Sequence, residues 1–289
     1  MSERQAPGRV LPVMLPARRA PGGAGSAGLP VVRLRAWHGL ALGAAILLSA
    51  EASAAAGAAP GRPGVLAVLV RWSPLLWQGF AFNVLISVLA MAIGTVLGFG
   101  LGLLLIARSG VARRTGWAAT QFFRNSPWLV LLFFMTFLLP FRVQIGPWGV
   151  PLPGWFKAVV GLSLPVMANM AEIVRGGLLS IDRGQWESAA SLGLRRRQLL
   201  FLVVLPQAVK RMLPPWMNLY AILAMSTTLA SIVGVNEVLT LAGQILAAAG
   251  GRTDLMAPLY GYILLMFFLY CYPIARLTAA LERRYAVRS

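Results

Sequence analysis

From Trp72 to Ala107 the chain runs thirty-six residues without one charged side chain. About 20 apolar residues are enough to carry a helix across the hydrocarbon core of a bilayer. The run therefore predicts a membrane-spanning helix, placed over Phe80 to Ile106. Gly94, Gly98 and Gly102 recur every fourth residue and share one helical face, which suits close helix packing in lipid. The rest of the chain agrees: 58% of its 289 residues are hydrophobic and 12% are charged, where a soluble domain carries about 25% charge. The class is an all-α integral membrane protein.

Further spans are predicted at Trp128 to Phe141, opened by Pro127, at Trp155 to Arg175, at Met217 to Val235 and at Leu255 to Ala275. Residues 142–157 carry three prolines and Trp148 and read as an interfacial loop. Lys157 is expected to snorkel at its outer end. Residues 1–36 hold six arginines and a PGGAGSAG stretch and read as a disordered basic arm. Residues 37–59 read as a further, N-terminal membrane helix. A cleaved signal is the alternative there, because Ala-Ser-Ala near residue 53 resembles a processing site. Met14 is an alternative start.

The net charge of +18 is explained by sidedness, with no nucleic acid required. The arm, the 108–124 turn, the polar insert from Arg175 onward and the C-terminal tail together hold twenty-one of the twenty-six Lys and Arg residues, and the opposite side holds five. By the positive-inside rule the insert and both termini are cytoplasmic. Within that insert, QLLFLVVLPQAV (198–209) spans about 18 Å as a helix, too short to cross. It reads as an amphipathic segment that returns to the side it left, with Pro214 and Pro215 ending the insert.

Cys271 is the only cysteine and His38 the only histidine. Intrachain disulfides, His/Cys metal sites and Cys/His nucleophile pairs are excluded. A membrane-embedded enzyme would need facing acids and histidines that this composition does not supply. No phosphate-binding G-x-x-x-x-G-K-[ST] loop occurs.

The insert itself carries GQWESAASLG (184–193) followed by LPQAVKRMLPPWMN (205–218). On residue types alone, Gly184 opens a short helix, Glu187 lies in its first turn, Ala189 and Ala190 give a small surface, and Gly193 stops it. Asp182 and Glu187 suit the helix dipole. Together these residues resemble the EAA loop of ABC importer permeases of the polar amino acid family. Gly184, Gln185, Glu187, Ala189, Ala190, Leu192, Gly193, Leu205, Pro206, Gln207 and Ala208 match that loop pattern. Arg124 and Pro127 match the family's Arg-x-x-Pro turn, and the likeness covers roughly residues 75–285. One departure is clear: Met225-Ser226-Thr227-Thr228-Leu229 stands where the family usually has a Lys-Asp-Thr-Ser-Leu-like run.

What the resemblance implies is a five-helix type I permease core with a cytoplasmic coupling loop over 176–215. Gly184 to Gly193 would dock on an ATPase subunit, supported by Leu205 to Ala208. A periplasmic binding protein would hand over an amino acid, two permease subunits would form the path, and two ATPase subunits would hold ATP and Mg. The chain itself would bind no cofactor, hold no metal and catalyse no reaction, and it would reside in the bacterial inner membrane. Other readings are a permease for another small solute, and a channel or scaffold without ATP coupling. Asn169, Glu172, Ser226, Thr227 and Thr228 are candidates for the solute path, since polar groups inside spans are costly. The alternative for Glu172 is an i,i+3 pair with Arg175, and for the hydroxyls, bonds to helix carbonyls. Asn236 and Glu237 are expected near the outer surface, as a gate or a solvated loop.

Overall fold

Residues 64–145 and 148–285, together with Ala41, Gly43 and Ala44, are described by the computed structural model of the chain. The expected basic arm, and all but three residues of the expected N-terminal helix, lie outside them. Among the described residues four helices are long and apolar enough to cross a membrane. Helix α1 (Val65–Leu105) is the longest, 41 residues or about 62 Å. It starts fifteen residues before the expected Phe80 and takes in Arg71 and Pro74. Its N-terminal part packs Val65, Leu69, Leu76 and Phe80 against Val238, Ile245, Leu259 and Ile263.

The expected turn over 108–124 is instead a helix, α2 (Gly110–Asn125), and the predicted second span is the shorter α3 (Trp128–Leu138). Ser126, the residue before Pro127, is extended (φ −81°, ψ 138°), as steric conflict with the proline ring demands. Helix α3 has only 11 residues, about 17 Å. A β-hairpin follows, β1 (Arg142–Ile145) with β2 (Trp148–Pro151), paired antiparallel with Val143 opposite Val150. The sequence reading had a loop there. Helix α4 (Gly154–Leu179) then runs antiparallel to α2 and α3, with Lys157 bonded to Thr136 and Leu139 at one end and Glu172 facing Arg113 and Arg124 at the other.

The glycine face of α1 meets α4. A Cβ on Gly94 would stand 2.4 Å from Val166, on Gly98 2.5 Å from the Met167 carbonyl and on Gly102 2.7 Å from Val174. Only hydrogen fits, and the backbones approach as close packing in lipid requires.

After a short helix, α5 (Arg183–Ser191), one continuous helix α6 (Arg196–Val233) runs for 38 residues. This corrects the sequence reading on two points: residues 198–209 do not turn back, and Pro214 and Pro215 do not end the insert. Leu199–Val204 is a π-helical turn, Leu205–Ser226 is α-helical and Thr227–Val233 is 3-10. The prolines remove backbone donors without breaking the helix, because Ala208, Met212, Leu219 and Leu223 are buried along one side, Pro214 is buried as well, and neighbouring helices hold the rod. Helices α7 (Val238–Ala248) and α8 (Met256–Tyr285) complete the chain. Polar side chains join α1 to α6: Asn83 donates to Thr227 (3.0 Å), Ser87 Oγ lies 3.2 Å from Tyr220 Oη, and Trp216 donates to Thr95 (3.0 Å).

Candidate functional site

Helix α5 joins α4 to α6 in the chain and packs on both. Asp182 caps its start by accepting from Gly184 N at 2.6 Å, which satisfies one orphan donor. Glu187 lies beyond the first turn, one step later than the sequence reading set it. The helix ends where Gly193 turns left-handed (φ 72°), a conformation that glycine adopts without strain. Its N–H donates to the Ala190 carbonyl.

Of the seven residues assigned to docking, Ala189 alone is buried, against the start of α6. Gly184, Gln185, Glu187, Ala190, Leu192 and Gly193 are exposed, Leu192 to 80%. A small outward surface is presented, and the inward side is anchored. Ile181 and Ala189 pack with Val174, Leu178, Leu199, Val204, Ala208 and Met212. Of the four support residues, Ala208 is buried in this cluster, Leu205 packs at its margin, Pro206 is exposed, and Gln207 contacts Gln185 (3.4 Å) and the Val203 carbonyl (2.9 Å).

Two arginines missed by the sequence reading fix this unit to the span ends. Arg211 donates to the carbonyl of Ser180, the C-cap of α4. Arg196 donates to the carbonyl of Ile106, the C-cap of α1, at 3.0 Å. Cations at helix C-termini satisfy orphan carbonyls and match the dipole. The signal was available in their position, immediately before and within an apolar stretch, but which carbonyl each meets depends on the fold.

The path candidates separate. Glu172 accepts two bonds from Arg175, at 2.8 and 3.0 Å, the i,i+3 pair that was its alternative. It also borders two clefts, of about 480 and 490 Å³, one towards Arg211, Glu282 and Tyr285 and the other towards Arg113, Arg114 and Arg124. Asn169 donates to the Pro165 carbonyl. Ser226, Thr227 and Thr228 each donate to a carbonyl three or four residues earlier, and Thr227 is fully buried.

Glu237 is also fully buried, so the solvated-loop expectation does not hold for it. One carboxylate oxygen accepts from Asn83 Nδ2 (2.9 Å), the other from Thr240 N (2.9 Å), and Asn83 Oδ1 accepts from Val238 N (3.1 Å). Burial pushes its carboxyl above the ordinary value, opposed by the bonds from Asn83 and the backbone at Leu239 and Thr240. A lone acid after a span carries no sequence mark of an amide partner 154 residues away. Among the described residues no group of three His, Cys, Asp or Glu side chains could hold a metal ion.

The sequence pattern of one family, described as binding-protein-dependent transport system inner membrane component, matches residues 94–287. Two Bacillus subtilis proteins are similar. The "Probable amino-acid ABC transporter permease protein YckA" is 32% identical over 74% of this chain and 90% of its own length. The "Probable glutamine ABC transporter permease protein GlnP" is 32% identical over 72% and 93%. Among solved structures, a chain of an amino acid ABC transporter crystallised with histidines superposes with a TM-score of 0.63 at 25% identity, covering 75% of this chain and 96% of that one.

Proposed function

The chain belongs to the family of binding-protein-dependent transport system inner membrane components, and from that premise we propose that it carries an amino acid across the bacterial inner membrane as the permease subunit of an ATP-driven importer. The amino acid cargo is supported by the names of the relatives. The observation that carries the coupling role is α5: a short helix exposed on its outer face and fixed on its inner face to the ends of α4 and α6. Such a helix fits a groove on a partner, and a push on it moves two spans together.

The partners in this reading are a second permease subunit, two ATPase subunits that hold ATP and Mg, and a periplasmic protein that delivers the solute. The loop 176–215 and both termini face the cytoplasm, as the distribution of Lys and Arg supports. Closure of the ATPase pair then switches the path between outward and inward access. The chain itself binds no nucleotide and hydrolyses nothing.

The test is ATP hydrolysis in proteoliposomes holding this chain with its ATPase and partner permease, with and without solute-loaded binding protein. Hydrolysis is expected to rise with loaded binding protein, and the rise is expected to vanish in Gly193→Arg, which places a side chain at a left-handed position. A solute other than an amino acid giving the rise would change the cargo alone. No response to any loaded binding protein would favour a channel or scaffold without ATP coupling.

A further inference from the structure

The cleft of about 490 Å³ between α2 and α4 is lined by Arg113, Arg114 and Arg124 from α2 and by Glu172 and Arg175 from α4. Four guanidiniums meet one carboxylate. Glu172 is taken by Arg175, and among the described residues none of Arg113, Arg114 and Arg124 forms an ion pair. From these positions we infer that the cleft is a binding site for the headgroup of an anionic phospholipid. The shared chemistry is that of a phosphate ester, for which guanidinium is the suited donor because its fork matches two phosphate oxygens.

The depth of the cleft in the bilayer supports a lipid as the source. Leu105, at the end of α1, lines it together with Trp117, and the neighbouring Ile106 carbonyl is bound by Arg196 of the insert. The cleft therefore opens at the membrane boundary on the side that carries the coupling loop. Val111 and Phe122 of α2 are uncovered, 74% and 64% exposed. These two side chains lie about 20° apart around the helix at 100° per residue, whereas Arg113, Trp117 and Arg124 fall on the other half of its surface and Arg114 lies about 60° from Val111, between the two. An amphipathic helix with apolar residues outward, a tryptophan at headgroup level and arginines beside it is the arrangement that holds a helix in the interface. Clusters of basic residues between helices at this depth fit anionic headgroups. The placement rests on the sidedness proposed above only for which leaflet supplies the lipid; binding itself is independent of it.

The test uses the full chain in vesicles of phosphatidylcholine, with either brominated phosphatidylcholine or brominated phosphatidylglycerol as a quencher of Trp117. The Trp117 contribution is taken as the difference from Trp117→Phe. Preference for phosphatidylglycerol over phosphatidylcholine is expected at Trp117, and Arg113→Gln/Arg114→Gln is expected to reduce it about thirty-fold at roughly one kcal/mol per charge. Quenching by phosphatidylcholine should stay unchanged in that variant, which marks it as folded. Equal quenching by the two lipids in the wild type overturns the proposal. So does a preference that survives in the double variant. If glutamate or inorganic phosphate added to pure phosphatidylcholine vesicles shields Trp117 while phosphatidylglycerol gains no advantage, the cleft serves a soluble anion and the lipid site is refuted. None of these outcomes bears on ATP coupling.

Discussion

Lys157 is 1% exposed, yet its ammonium meets no carboxylate among the described residues. It donates to the Thr136 and Leu139 carbonyls at 3.1 and 2.9 Å, at the C-terminus of α3, and stands 3.6 Å from the centre of the Phe141 ring. The cation thus closes a helix only three turns long. Lys157→Met is expected to lower stability by about 1–3 kcal/mol, the cost of leaving buried carbonyls unpaired, read as a lower thermal midpoint in detergent. Asn83→Ala should cost a similar about 1–3 kcal/mol by stranding Glu237 and the Val238 N–H. A titration of the same midpoint checks Glu237 itself. Its folded value is raised, so the folded state keeps its proton longer than the unfolded chain. The wild type should therefore lose stability relative to Glu237→Gln as pH climbs from the ordinary carboxylate range towards neutrality. The sequence could not signal either residue: a lysine beside a span looks like a snorkelling one, and only the fold supplies the carbonyls or amide that bury the charge.

At the scale of elements, the seam between α1 and α4 was legible, because glycines four apart can be read directly as a face. Gly98→Val should cost of order 1–3 kcal/mol through overpacking, since the added carbon would meet the Met167 carbonyl. Gly100, with nothing near it, should accept alanine with little change. Helix boundaries were less legible. Charges flanking 198–209 and the proline pair at 214 and 215 both argued for an interruption, and α6 passes through them because its buried side and its neighbours outweigh the lost donors. The π-turn at Leu199–Val204 sits where α5 packs on that rod, and such turns recur at functional points in helices. The Arg211 bond to the C-cap of α4 makes the same junction rigid. Arg211→Gln is expected to lower binding-protein-stimulated ATP hydrolysis while leaving basal hydrolysis by the ATPase unchanged.

For the whole molecule, the class came from totals, and the short helix α5 was legible from a motif whose ends obey ordinary capping rules. Ser226, Thr227 and Thr228 spend their hydroxyls on helix carbonyls, and Glu172 spends its carboxylate on Arg175, so residue type alone overstated their freedom. What a single chain presents is a set of spans with a handle, and the handle is where its role as a permease stands or falls. The direct measurement is a photo-cross-link. Cys271 is the only cysteine, so Cys271→Ser with Leu192→Cys gives one attachment point for a benzophenone on the exposed end of α5. The same label at Leu202→Cys, an exposed position on α6, serves as the comparison. The assembled transporter should yield a strong adduct with the ATPase subunit from residue 192, changed by ATP, and little from residue 202. Equal or absent adducts at the two positions would contradict the assignment of α5 as the coupling helix.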